Sequence, residues 1–238
     1  MTQREAVGQG YRAGLDSLRL QQKPGAGVPA YLRWVNRSLG RHAAALANQL
    51  GITPNVVTGA SILFSLAGML TVVLAGASVA GAIFAVALFL VGYALDSADG
   101  QLARLTGTGS KAGEWLDHIV DAGRLPLTHL AIAIFLFTQD ASLGFVALSL
   151  VFLVVASVWF FGQILAEQLL PSSQPVGNPP TWVSFAKLPY DTAALYLVLL
   201  LTPWLPLFLA FYTALFVFTV LVATVSLWRK YRSLRLRT

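Results

Sequence analysis

Six apolar stretches divide this 238-residue chain, and most approach or exceed the ~20 residues that a helix needs to cross the hydrocarbon layer of a bilayer. They run at about Val56–Ala75, Val79–Leu102, Trp115–Phe137, Leu143–Glu167, Tyr190–Trp204 and Leu205–Trp228. Backbone amides cannot find water in hydrocarbon, so such segments must close their hydrogen bonds internally as helices. The expected fold is therefore all-α: a polytopic membrane protein with six transmembrane helices, preceded by an N-terminal cytoplasmic amphipathic helix. The fifth stretch is short, and Pro203 and Pro206 mark its separation from the sixth. A chain that is 56% hydrophobic and 11% charged, with a mean hydropathy of +0.69, is excluded from the ordinary soluble class.

The basic residues are distributed one-sidedly. Arg4, Arg12, Arg19, Lys23, Arg33, Arg37 and Arg41 precede the first stretch, and Arg229, Lys230, Arg232, Arg235 and Arg237 follow the last. Short cytoplasmic segments concentrate Lys and Arg, so both termini are expected on the cytoplasmic side of the plasma membrane, which requires an even number of crossings. Arg104 and Lys111 fall at the second turn-around, on the same side. Topology and anionic lipid thus account for the excess charge, and no nucleic-acid partner is expected. The first thirty residues carry no continuous apolar run, so no cleavable signal peptide is expected. There is no cysteine, which excludes disulfides and thiolate chemistry.

Three regions follow. Residues 1–50 form an N-terminal cytoplasmic segment, 51–228 the transmembrane domain and 229–238 a basic tail. Residues 1–28 are polar, end in Lys23-Pro24-Gly25-Ala26-Gly27 and are expected to have little order. From about 29 to 50, Arg33, Arg37 and Arg41 recur every four residues among Tyr31, Trp34, Leu39 and Leu46, the pattern of an interfacial helix. Thr53 is the expected N-cap of the first span, with Pro54 at its first helical position. Residues 171–180, rich in Pro and Ser, read as an irregular cytoplasmic loop.

Asp96, Asp99, Asp117 and Asp121 interrupt an otherwise apolar hairpin. An ionised carboxylate at membrane depth costs about 2.5 kcal/mol or more and needs compensation. Asp96 and Asp99 fall one turn apart on one helix; Gly113, Asp117 and Asp121 repeat at four-residue spacing on the next. A Gly- and Ser-rich connection, 106–111, lets the two run antiparallel, so the four carboxylates converge. Oxygen-only ligands suit magnesium, manganese or calcium, and two such ions hold a diphosphate well. Gly100 and Ala103 leave room beside them, and Arg104 offers planar donors to a phosphate. Intramembrane carboxylates also mark ion and proton pathways, so the residues alone leave catalysis and transport both open.

Asp96-Ser97-Ala98-Asp99-Gly100-Gln101-Leu102-Ala103-Arg104, eight further residues, Gly113, three residues, Asp117, three residues and Asp121 resembles the full signature of the CDP-alcohol phosphotransferase family. The resemblance implies a metal-dependent enzyme that transfers a substituted phosphate group from a CDP-linked donor, CDP-diacylglycerol above all, to an alcohol with release of CMP. It implies metal ligation by Asp96, Asp99, Asp117 and Asp121, through Mg2+ or Mn2+ and two ions, with Asp121 also the base. Asn55, Asp99, Gly100, Ala103, Arg104 and Gly113 would bind the CDP donor. A homodimer is implied by analogy. The signature leaves a second branch open, in which the donor carries a polar head group and the acceptor is a lipid alcohol.

Outside the signature, Arg124, Lys187, Tyr190 and Asp191 are the expected acceptor-binding residues, because they lie at the level of the aspartates. So few basic residues favour a neutral alcohol over a phosphorylated one. His118 is expected in an interhelical hydrogen bond, His129 in a structural role, and Glu114 beside the site or facing solvent.

Overall fold

The structure is a computed structural model that describes residues 10–22, 24–25, 27–170 and 180–236. Among the described residues there is no strand, and the α-helices are α1 (Tyr11–Leu20), α2 (Arg37–Gln49), α3 (Pro54–Ala75), α4 (Val79–Thr106), α5 (Lys111–Thr138), α6 (Leu143–Leu169), α7 (Trp182–Ala186), α8 (Thr192–Val198) and α9 (Leu205–Arg235). Five of these, α3, α4, α5, α6 and α9, are long and apolar enough to cross a membrane. Many of their large apolar side chains face outward, Leu63, Leu74, Ile83, Val154 and Leu221 among them, as lipid-facing positions must.

The fifth predicted span differs. It is α8 extended by a 3₁₀ turn, Leu199–Leu201, only ten residues in all. At ~1.5 Å per residue that covers about half of a ~30 Å hydrocarbon layer. Pro189 before it and Pro203 after it prevent a longer helix. The traverse is nevertheless complete. On α6 and α9, Ser149 bonds Tyr212 at 2.9 Å and Gln163 bonds Ser226 at 2.7 Å, so these two helices run parallel. The chain therefore returns along the bundle between them, and the described ends Gly10 and Leu236 finish at the end that carries the aspartates.

Small residues on α3 allow α4 to approach closely. Thr58, Ser61, Ser65 and Gly68 share its buried face. A Cβ on Gly92 of α4 would lie 2.7 Å from Ser65 Oγ and 2.9 Å from the Ser61 carbonyl, so only glycine fits there. Deeper in the bundle than the aspartates, α5, α6 and α9 are joined by His129, whose Nδ1 lies 2.7 Å from the Tyr212 hydroxyl, and by Ser149, which donates to the His129 carbonyl at 2.8 Å. His129 is structural, as expected. His118 makes no interhelical hydrogen bond among the described residues.

The N-terminal region corrects one expectation. Residues 11–20 are a packed helix, with Leu18 fully buried and Gly14 against Leu105 of α4. Tyr11, Leu15 and Leu18 follow helical spacing and bury one stripe, a pattern that the polar composition obscured. A π-helical turn, Leu32–Asn36, leads into α2. Gly40, Ala44, Ala47 and Asn48 of α2 pack inward, while Val35, Leu39, Leu46 and Leu50 remain exposed. Arg33 stacks on Trp34, and Arg37 donates to the Pro24 carbonyl at 3.2 Å. Thr53 precedes α3 as predicted, but its side chain caps no amide. Helix α9 continues into the basic tail as far as Arg235, because Lys and Arg are good helix formers and stabilise a helix C-terminus. The predicted loop 171–180 lies outside the described residues except for Pro180.

Candidate active site

The turn between α4 and α5 sets the register of the carboxylates. Gly107 ends α4 in the left-handed region (φ 66°), and Ser110 caps α5 by accepting from Gly113 N at 3.1 Å. The antiparallel pair brings carboxylate oxygens of Asp96, Asp117 and Asp121 to within 4.8 Å of one another. Asp99 stands apart from this triad. It accepts from Thr58 Oγ1 of α3 at 2.5 Å and from Gly100 N at 2.5 Å, and is almost wholly buried.

Arg124 is the cation inside this cluster. Its Nη1 lies 2.7 Å from Asp96 and 3.1 Å from Asp121, and its Nη2 donates to Ser61 at 2.8 Å. The residue is only 4% exposed, so its charge depends on those partners. Together these bonds fix α3, α4 and α5 around the carboxylates.

Two cavities meet the cluster, and they divide the four aspartates between them. The larger, about 760 Å³, is lined by Asp99 and Asp117 together with Gly100, Ala103, Arg104 and Gly113. The first turns of α3 and α5 also open on it, through Asn55 and Lys111. Helix N-termini of this kind favour anions, and Arg104 has a buried Nε with no hydrogen-bond partner. A Cβ on Gly100 or Gly113 would meet only ordinary contacts of 3.4 Å or more, so protein packing does not require these glycines, and both border the open space of the cavity. The smaller cavity, about 110 Å³, is lined by Asp96, Asp121 and Arg124 with Tyr93, Phe160 and Tyr196.

Residues 51–231 match the family described as CDP-alcohol phosphatidyltransferase. The chain belongs to that family. Over 87 residues it is also 41% identical to an archaetidylinositol phosphate synthase of Pyrococcus horikoshii, which covers 37% of this chain and 43% of the relative. The chain thus spans less than half the length of that curated relative. Members of the CDP-alcohol phosphatidyltransferase family are phosphotransferases, and membership decides between the two readings that the carboxylates alone left open, against a transporter.

The family generally depends on a divalent metal, and the residues fit one: three oxygen donors sit close enough to share an ion, and oxygen-only sets suit hard cations. Among the predicted CDP-alcohol phosphatidyltransferase residues, Asn55, Asp99, Gly100, Ala103, Arg104 and Gly113 all line the larger cavity. The predicted acceptor set divides. Arg124 lines the smaller cavity, whereas Lys187, Tyr190 and Asp191 line neither. Lys187 donates to the Gly27 carbonyl at 2.6 Å, and Tyr190 packs edge-on against Trp159. Asp191 accepts from Leu32 N, Tyr93 Oη and Ala193 N, which joins the N-terminal segment to α4 and α8. Sequence reading missed Thr58 and Ser61, although hydroxyls three residues apart in an apolar span are a usable signal. It also missed Tyr196, for which no local pattern exists.

Proposed function

We propose that this chain transfers a substituted phosphate group from a CDP-linked donor, CDP-diacylglycerol in the favoured case, to an alcohol, with release of CMP. The observation that carries the reading is the division of the aspartates. Asp99 and Asp117 face a cavity of nucleotide size, Asp96 and Asp121 face a second, smaller one, and the triad bridges the two. Donor and acceptor thus have separate chambers that meet at one carboxylate cluster, which suits a displacement at phosphorus.

In this reading Asp96, Asp99, Asp117 and Asp121 hold Mg2+ or Mn2+, two ions in all. When bound, these ions neutralise the diphosphate and stabilise the departing phosphate oxygen. Arg104, the amides of the α3 first turn and Gly100 hold the CDP portion, with Asn55, Ala103 and Gly113 around it. Asp121 takes the proton of the acceptor hydroxyl. The acceptor oxygen bonds the β-phosphorus, the bond from that phosphorus to the bridging oxygen breaks, and CMP leaves with the electron pair. The proton on Asp121 then passes to water. Arg124 keeps Asp121 oriented throughout.

The side of the membrane follows the same pattern. The described ends, Gly10 and Leu236, and the aspartates share one end of the bundle, and the flanking Lys and Arg support assigning that end to the cytoplasmic face of the plasma membrane. The exposed Val35, Leu39, Leu46 and Leu50 support an interfacial position for α2. A homodimer rests on family resemblance.

Purified protein incubated with radiolabelled CDP-diacylglycerol, Mg2+ or Mn2+ and a panel of alcohols is expected to release CMP and form a new lipid. Intact donor under every condition would sink CDP-diacylglycerol as substrate. The same assay with CDP-linked head groups and diacylglycerol tests the other branch.

A further inference from the structure

Helices α1 and α2 precede the residues matched to the family, yet both pack on α4, the helix that carries the first half of the signature. We infer that Gln101 is a positioning residue for the donor, held by Gln22 just after α1 and by the backbone of α2. It fixes the last turns of α4, so that Gly100, Ala103 and Arg104 present a preformed wall to the CDP portion. This rests on the donor reading above and adds to it a role for the N-terminal segment.

The two sides of α4 have different neighbours. At ~100° per residue, Asp99, Gly100, Ala103 and Arg104 fall on one side, and Ala98, Gln101, Leu102 and Leu105 on the other. Gly100, Ala103 and Arg104 border the cavity of about 760 Å³, so open space lies against them. A helix end with little packed on one side opens locally unless its other side is held. That other side is buried: Ala98, Leu102 and Leu105 cluster with Leu18 of α1 and with Ala44, Ala45 and Ala47 of α2. The approach is close. A Cβ on Gly40 of α2 would lie 2.9 Å from Gln101 Nε2 and from Ser97 Oγ.

Gln101 joins the three helices at one buried point. It is not one of the eight signature residues, although it stands beside Gly100, and it is 2% exposed. Its Nε2 donates to the Arg37 carbonyl at 3.1 Å and to Ser97 Oγ at 3.3 Å, and its Oε1 accepts from Gln22 Nε2 at 2.8 Å. Gln22 Nε2 donates in turn to the Leu18 carbonyl at 2.8 Å. Backbone carbonyls thus accept at both ends of the relay, and neither amide can flip without setting oxygen against oxygen. A buried network whose members are paired in this way specifies one arrangement.

The consequence falls on donor affinity. If the wall were formed only part of the time, apparent affinity would drop by that fraction. The reacting carboxylates are held separately: Asp96 by Arg124, and Asp99 by Thr58. Loosening the relay therefore weakens donor binding and leaves the chemical step alone.

The test uses the purified full chain with a CDP-linked donor that it turns over, and equilibrium dialysis of CMP with Mg2+ as a binding measurement independent of turnover. Gln22→Ala removes one link, and Gln22→Glu keeps its size but faces the Leu18 carbonyl and Gln101 Oε1 with oxygen. Both are expected to raise donor KM and the CMP Kd by roughly 2- to 10-fold, the worth of one hydrogen bond, with kcat at saturating donor and alcohol KM unchanged. Adding Gln22→Ala to Gln101→Met should have little further effect, because the two residues act through one relay. Arg19→Ala, which removes an exposed pair with Asp16 on the same helix, should leave donor KM unaltered. Unchanged donor KM and CMP affinity in both Gln22 variants overturn the proposal while leaving the donor reading intact. A lower kcat at unaltered donor KM also overturns it, because the relay would then serve folding alone. Failure of the unmutated chain to release CMP from any CDP-linked donor counts against the donor reading, and the proposal falls with it.

Discussion

The two cavities share walls from α4 and α5 but are built on opposite principles. The larger is made of absences, Gly100, Gly113 and Ala103 on α4 and α5, with uncapped amides and an unpartnered guanidinium nitrogen facing the space. The smaller is made of bulk, Tyr93, Tyr196 and Phe160, which leave little room around two carboxylates and the arginine paired with them. A polyanionic ligand needs donors and close backbone approach; a small neutral one needs shape and a single polar contact. In the proposed reading, the difference in size keeps the two substrates apart.

The largest expected effects fall where the cavities meet. Asp121→Asn keeps shape but cannot take a proton, and is expected to lower kcat by roughly 10²- to 10⁴-fold with KM for the CDP donor little altered. CMP release measured under saturating donor checks it; a near-normal rate would mean that the base lies elsewhere. Removal of divalent ions by a chelator is expected to abolish CMP release, with recovery on adding Mg2+ or Mn2+. Activity that persisted through chelation would leave the triad without its assigned role.

Glycines sharpen the contrast at an intermediate level. Gly100→Ala adds a methyl group that the protein tolerates, its nearest neighbour being Arg104 at 3.6 Å, so thermal stability should hold while donor KM rises about 10-fold or more. Gly92→Ala forces a Cβ to 2.7 Å from Ser65 Oγ and is expected to destabilise by about 1–3 kcal/mol. Its effect on donor KM should be small. Measuring melting temperature and donor KM for both variants distinguishes space kept for a ligand from space kept for a helix.

These two glycines also indicate what a sequence can reveal. The larger cavity was legible because its residues repeat at three- and four-residue spacing on two adjacent helices joined by a short turn, so local geometry brings them together. The smaller cavity draws on Tyr93, Phe160 and Tyr196 from α4, α6 and α8, whose meeting depends on packing that no local pattern encodes. The crossings were legible as apolar runs, except that α8 is short and finishes its traverse through a 3₁₀ turn between prolines. Helix α1 was hidden by its polar composition although Tyr11, Leu15 and Leu18 carried the period.

The smallest expected effect tests how the acceptor wall is held. Asp191 was expected to touch the acceptor, but it accepts from Leu32 N at 2.9 Å, Tyr93 Oη at 3.2 Å and Ala193 N at 3.0 Å. It thereby caps α8, the helix that presents Tyr196, and ties it to the N-terminal segment and to α4. Asp191→Asn keeps one accepting oxygen and weakens the set, so a stability loss of about 1 kcal/mol is expected. Because the bonds act on the wall and not on the ligand, alcohol KM should rise only a few-fold, donor KM should stay constant, and Asp191→Glu should rescue poorly for want of space. A large loss of kcat in Asp191→Asn at unchanged stability would instead put the carboxylate in contact with the acceptor, and the smaller cavity would then need a different boundary.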